Sequence, residues 1–410
     1  METFFGIVFV VIVAGITMWL ANKYKEIALA IAIAFVFRIS AALINLYVVT
    51  LPDGGIDATG FENNAWLWGK DGLIVATSHF FEQGISWTYS NLASLIYAIF
   101  GRNPLILESI SVLAGVYCVV LAWKLSIEVW GTHSAAKKSA WLVAIYPILI
   151  LYSSLTLREV FITLLLLYGM LHVILWSKTR KMINACIALI VFSLQVFFHP
   201  GMAVASVLFI GLLFLYYNKR FFASLINNSS INVRSFLVIM FVLLLGLYIS
   251  LTVNTVSFEI IGYHTWLNLD TLVERASIMY TDTAAFPSWV IADNNMQLLL
   301  LLVPKLCYFL FSPFPWDISE FKHVLGLLDG VVFIMLFLSI YSHRKYIKSN
   351  PQAFILLVFI IFLSLVFTIG IGNFGTGIRH RSKMLPIIFI IAAPFIYRVL
   401  FFKKKKLKLE

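Results

Sequence analysis

Charge is what this sequence has least of. Only 12% of its 410 residues are Asp, Glu, Lys or Arg, against 61% hydrophobic residues and a mean hydropathy of +0.95. No water-soluble domain has that balance, which excludes a soluble enzyme or binding module and predicts an all-α polytopic membrane protein. Cysteine is scarce as well. Cys118, Cys186 and Cys307 lie inside apolar runs at unrelated spacings, so neither a disulfide framework nor a metal cluster is suggested. Low-complexity linkers and clear repeats are missing, and residues 1–410 read as one integral membrane domain. Nothing basic precedes the first apolar run at 3–20 and no small-residue cleavage site follows it, so that run is expected to remain as a helix rather than serve as a signal peptide. The net charge of +11 is spread over short connectors rather than gathered on one face, which argues against a nucleic-acid partner.

What is present is a series of apolar stretches long enough to cross about 30 Å of hydrocarbon. They fall near 3–20, 27–50, 105–123, 139–153, 156–177, 182–198, 201–217, 235–252, 324–342, 353–371 and 384–402, predicting about 11–12 transmembrane helices. Basic residues near a span normally stay in the cytoplasm. Lys23 and Lys25, Lys124, Lys137 and Lys138, Lys178 to Lys181, Lys219 to Arg234, Arg344 to Lys348 and the 403–410 tail can all be cytoplasmic at once. That arrangement puts 51–101 outside as a first extracytoplasmic loop, and 253–323 outside as a late loop. Residues 297–312 disturb the parity, being apolar but short and interrupted by Pro304 and Lys305. A re-entrant or surface-lying helix is preferred there, ending in a turn at 313–316 that places Trp316 at headgroup level.

This orientation leaves Arg379, His380, Arg381 and Lys383 on the outer side, where a basic cluster needs a reason. Binding an anionic group such as a lipid-linked phosphate supplies one, and anchoring to lipid headgroups is the alternative. The first outer loop holds Asp53, Asp57 and Glu62 beside glycines. Phe61, Ala65, Trp68 and Leu73 fit one apolar face of a helix lying on the membrane, and 86–100 gives a second such helix, capped by Gly101. A carboxylate held at that surface suits a general base for an acceptor hydroxyl, with Asp57 first and Asp53 and Glu62 behind it. Equally, Asp53 and Asp57 could serve as helix caps and turn residues. Arg158 and Glu159 in the second outer connector form either a structural ion pair or a cation near a substrate phosphate. Arg38, deep in a span at a cost of roughly 2.5–3.5 kcal/mol when central, has Glu108 as its expected partner. His199 before Pro200 reads as a structural helix end, and Asp329 as a polar residue without an assigned role.

The order of these features resembles the GT-C superfamily of membrane glycosyltransferases, particularly bacterial members similar to protein O-mannosyltransferases. The resemblance rests on Asp57-Ala58-Thr59-Gly60-Phe61 in the first loop and on Ile96-Tyr97-Ala98-Ile99-Phe100-Gly101-Arg102-Asn103-Pro104-Leu105. It continues through Tyr146-Pro147, Ser154 to Arg158-Glu159, the turn at 313–316 and residues 379–386. The family often has a second acid where Ala58 stands, a departure that bears on metal dependence. What the resemblance implies is a glycosyltransferase in the bacterial cytoplasmic (inner) membrane. Asp57 would activate the acceptor, and Arg379, His380, Arg381 and Lys383, with Arg158, would hold the donor phosphate. Glu159, Arg38 and Glu108 would support them. The donor would be a polyprenyl-phosphate-linked sugar and the acceptor a cell-envelope glycan, lipid or protein. No metal ligand is assigned and no cofactor is required, with a divalent metal ion left open. A repeat-unit polymerase or ligase for O-antigen or exopolysaccharide is the alternative, and a lipid-linked glycan transporter a more distant one.

Overall fold

The computed structural model describes residues 2–82, 87–218, 283–320 and 322–396. The expected span near 235–252, the basic residues Lys219, Arg220 and Arg234, and the 403–410 tail lie outside these. Among the described residues the chain is an all-α polytopic membrane protein, with 17 α-helices and no strand. The helices are α1 Glu2–Lys23, α2 Ala28–Tyr47, α3 Ile56–Gly69, α4 Leu73–Glu82, α5 Thr88–Phe100, α6 Pro104–Trp130, α7 His133–Ile145, α8 Pro147–Tyr152 and α9 Glu159–Thr179. They continue with α10 Met182–Phe198, α11 Ala203–Tyr217, α12 Asn295–Phe311, α13 Lys322–Ser342, α14 Arg344–Ser349, α15 Pro351–Ile369, α16 Phe374–Ser382 and α17 Leu385–Ala392. Among the described residues, seven segments are long and apolar enough to cross a membrane, those of α1, α2, α6, α9, α11, α13 and α15.

Helix α6 is the axis of the bundle. Pro104 pre-sets its first turn, Asn103 caps it by accepting from the Leu105 amide (3.0 Å), and Gly131 at φ +66° ends it. Its apolar window is 83% buried, against 22% for α1, so α6 is surrounded by protein while α1 turns most of its surface to lipid. Around α6 pack α1, α2, α7 and α9.

One end of the bundle carries Lys23, Lys25, Lys124, Lys137, Lys178 and the α14 basic residues, and is called here the basic end. The opposite end carries α3 to α5, the 153–158 connector, the α10–α11 turn and α16. Three helices, not two, cover that end. Gly72 at φ +97° turns the chain after α3, so Leu73 begins α4 and is 47% exposed instead of sharing a face with the buried Phe61 and Ala65. The next helix starts at Thr88.

Residues 295–311 form a helix that crosses the end of α15. Leu298 packs in a cluster against Ile369, the Lys305 ammonium donates to the Ile369 carbonyl (2.8 Å), and the Phe309 ring lies over Phe367. Contacts so spread along α12, all meeting the last residues of α15, describe a helix that crosses α15. Beyond it, Trp316 is 72% exposed and stacks on Phe314.

The apolar stretch 139–153 is broken at Tyr146-Pro147. Proline has no N–H for the preceding turn, which leaves the carbonyls at the end of α7 without helical donors. Arg38 supplies them from α2: its Nη2 donates to Val143 O and its Nη1 to Ala144 O, each at 2.8 Å. A cation at a helix C-terminus is also electrostatically favoured. The expected Arg38–Glu108 pair is therefore not formed. Glu108 instead accepts from Asn45 Nδ2 (3.1 Å), which sits two turns farther along α2 than Arg38, roughly 10 Å away at 1.5 Å per residue.

Candidate functional site

The turn before α3 sets the first half of the site. Asn45 Oδ1 accepts from the Leu51 amide (3.0 Å), the Gly54 amide closes on Leu51 O, and Asp53 takes φ +61°. Asp53 accepts from the Tyr152 hydroxyl at the end of α8 (2.7 Å), which ties the turn to the bundle. Asp57 then falls in the first turn of α3, where the helix dipole favours a carboxylate. Its side chain is 57% exposed.

The second half comes from α16. Asn373 caps this helix by accepting from the Thr376 amide (2.7 Å), which directs its last turn toward α9. Arg379 bridges two carboxylates there: Nε donates to Glu159 Oε1 (2.7 Å), and Nη1 meets Asp57 Oδ2. Lys383 stands 3.8 Å from the same Glu159 oxygen and donates to His380 Nδ1 (2.9 Å). The His380 ring meets His199 at 4.9 Å and Phe367 at 4.7 Å. Arg158 places its guanidinium 5.2 Å from the Phe61 ring centre. Residues far apart in sequence, from α3, α9, α10 and α16, thus converge on one ion cluster. Asp57, Arg158, Glu159, Arg379, His380 and Lys383 are brought together.

Other expected members are elsewhere. Arg381 is buried at 1% exposure, pairs with Asp329 (2.5 Å) and donates to Leu310 O and Ser312 O. Asp329 also accepts from the Tyr146 hydroxyl (2.6 Å). That set staples α12, α13 and α16 together, so Arg381 faces the interior and not the cluster. Glu62 is gripped by Arg102, with Nε at 3.0 Å and Nη2 at 2.6 Å, and accepts from Tyr97 (2.9 Å). Both of its oxygens are engaged in holding α3 to α5 and α6. His199 accepts from the Gly201 amide (3.1 Å), the helix-end role expected of it. Its place beside His380 was invisible because the two lie far apart in the sequence, on different helices. Tyr152 and Arg102 were missed for the same reason.

Burial and the crowd of cations hold His380 and His199 well below the ordinary histidine range, so both rings are neutral at pH 7. Arg379 is buried too, but Glu159 and Asp57 outweigh that effect and raise it further, fixing its charge. Lys383 is the group that titrates. Burial pulls it down to about 7, with Glu159 opposing and Arg158 and Arg379 reinforcing the shift. Between pH 7 and 10.5 the unfolded chain then binds more protons than the folded one, so this lysine makes stability rise with pH across that window. Any anion it binds loses that cation above pH 7. We expect the affinity for an anion held at the cluster to fall as pH rises through about 7, where Lys383 loses its charge. A titration of anion binding against pH checks it, and Lys383→Gln should flatten that fall.

No family model, curated protein or solved structure matches this chain.

Proposed function

We propose that this protein is a membrane glycosyltransferase that moves a sugar from a polyprenyl-phosphate donor to a cell-envelope acceptor on the extracytoplasmic face of a bacterial inner membrane. The observation carrying this reading is the Arg379 bridge between a half-exposed and a buried carboxylate. Glu159, at 2% exposure, grips one side of the guanidinium firmly. The other side meets Asp57, whose 57% exposed carboxylate is screened by solvent and holds the pairing at about 1 kcal/mol. A donor phosphate competes easily for that outward side, where a planar guanidinium offers two parallel donors. Its arrival releases Asp57 as a free carboxylate beside the sugar.

Asp57 then accepts the acceptor hydroxyl's proton as the oxygen bonds to the anomeric carbon. The bond from that carbon to the phosphate oxygen breaks, and polyprenyl phosphate departs with the electron pair. Arg379 and protonated Lys383 stabilise the added negative charge. An apolar cavity of about 210 Å³ between α5, α6, α9 and α10, lined by Tyr89, Ile96, Leu107, Phe161 and Phe198, adjoins the cluster. Phe198 directly precedes His199, and Tyr89 touches Phe61 beneath Arg158. An isoprenoid tail fits such a lining. The resemblance to GT-C enzymes points the same way. No metal is needed in this scheme, because Arg379 and Lys383 supply the charge that a cation would.

Sidedness follows from the lysines at the basic end, which the positive-inside rule assigns to the cytoplasm. A cysteine at Thr376, in a background with Cys118, Cys186 and Cys307 replaced, should react with an impermeant maleimide from outside intact cells. Labelling confined to inverted vesicles would remove the extracytoplasmic site. Turnover is tested by presenting purified protein with a panel of polyprenyl-phosphate sugars and measuring polyprenyl phosphate release; hydrolysis or transfer of none would sink the assignment.

A further inference from the structure

Arg38 carries a full charge into the centre of the bundle, at 1% exposure, with no carboxylate against it among the described residues. Carbonyl groups of Ala34, Val143 and Ala144 take its two terminal nitrogens. Its Nε finds no protein partner. Neither does Oε2 of Glu159, buried at 2% exposure; the Arg379 and Lys383 contacts both go to Oε1. A buried donor and a buried acceptor each left unpaired would cost roughly 1–3 kcal/mol or more.

Both residues line one cavity, with Gly115, Cys118, Ser153 and Thr163 among its walls. It has about 20 Å³ of room for water centres, against the roughly 10–15 Å³ that one water requires. Gly115 lets Arg38 and Ser153 pack close on this wall: a Cβ there would come within 2.6 Å of Arg38 Nε and 2.8 Å of Ser153 Oγ, so an alanine forces both side chains into the cavity.

We propose that this cavity is a structural water site, in which water accepts from Arg38 Nε and donates to Glu159 Oε2. Arg38 is thereby a positioning residue for the ion cluster at the far side of the cavity. The water carries part of the Arg38 charge to Glu159 and fixes the carboxylate plane, so that Oε1 stays aimed at Arg379. The α7 C-terminus offsets the remainder. The lysine and arginines facing Glu159 from α16 are Lys383 and Arg379, and Arg158 precedes it on the chain. The water site stands on the geometry alone; its role in positioning rests on the transfer reading.

Hydroxyl-radical footprinting of the full-length protein in detergent tests the water without any need for activity. Cys118, 3% exposed in the core, lies one turn from Gly115 on this wall. Radicals generated from resident water should oxidise it in the wild type. Gly115→Ala, which fills the space, and Arg38→Met, which removes the anchoring donor, should each slow that oxidation severalfold while exposed Cys186 reacts as before. The second variant guards against the first failing to fold. A wild-type Cys118 that is inert, or one oxidised equally in both variants, overturns the proposal. For the positioning role, Arg38→Met should raise donor KM by about tenfold with kcat little changed. A protected Cys118 in the variants together with no transfer by any donor would leave the water site intact and refute the glycosyltransferase.

Discussion

Asp57→Asn is expected to lower sugar transfer by about 10²–10⁴-fold, the usual worth of a general base, with little change in melting temperature. The two outcomes separate because of where the carboxylate stands. Its side chain is 57% exposed, and Arg379, which is 12% exposed, keeps the Glu159 contact, so the fold loses on the order of 1 kcal/mol. The amide is nearly isosteric but takes up no proton from a hydroxyl. Asp53→Asn makes the informative contrast. It weakens a hydrogen bond from Tyr152 that holds the loop, worth about 1 kcal/mol, and should cost stability before chemistry. Donor turnover and thermal melts measured side by side decide the matter. Full turnover in Asp57→Asn would place the base elsewhere.

Arg379→Ala should damage both properties. Removing the guanidinium strands Glu159, which is 2% exposed, and breaking a buried pair costs about 3–5 kcal/mol. Lys383, 3.8 Å from the same oxygen, remains to soften the loss, so the lower end of that range is expected. Adding Glu159→Gln removes the stranded charge. The double variant should therefore recover much of the stability while transfer stays absent, because the donor phosphate has lost its planar partner. A double variant as unstable as Arg379→Ala alone would mean that the pair does not hold this end together. Restored transfer would mean that Arg379 does not bind the donor. Arg381→Ala belongs to a different class. Its donors are spent on Asp329 and on backbone carbonyls between α12 and α13, so its loss should empty the membrane of folded protein.

Composition and periodicity made the helical membrane fold legible, because hydrocarbon admits only chains that satisfy their own backbone groups. The short apolar run with Pro304 and Lys305 set α12 apart from the long spans. Partnership was much less legible. Arg38 and Glu108 were expected to pair because both are ionisable residues within neighbouring spans. Yet Pro147 had already created a better site for Arg38 in the carbonyls of Val143 and Ala144. A proline break leaves acceptors as well as a kink, and that signal was in the sequence at Tyr146-Pro147. The cluster at 379–383 looked like one unit, but a helix sends neighbouring side chains in different directions. Arg379 and Lys383, four apart, share the face toward Glu159, and Arg381 points to Asp329 instead. The 3.6-residue period alone could have divided them. Which carboxylate each would meet depended on how α9, α13 and α16 pack, and nothing local encodes that.

The proposed transfer requires Arg379 to be a seat for a lipid-borne phosphate. Binding of polyprenyl monophosphate to the purified protein, compared with the uncharged polyprenol and repeated on Arg379→Gln, tests this without knowledge of the sugar. The phosphate is expected to bind at least about tenfold more tightly than the alcohol, a difference of 1.4 kcal/mol that a charge-assisted hydrogen bond readily supplies, and Arg379→Gln should erase that preference. Equal binding of the two lipids, or a preference untouched by the substitution, would contradict it.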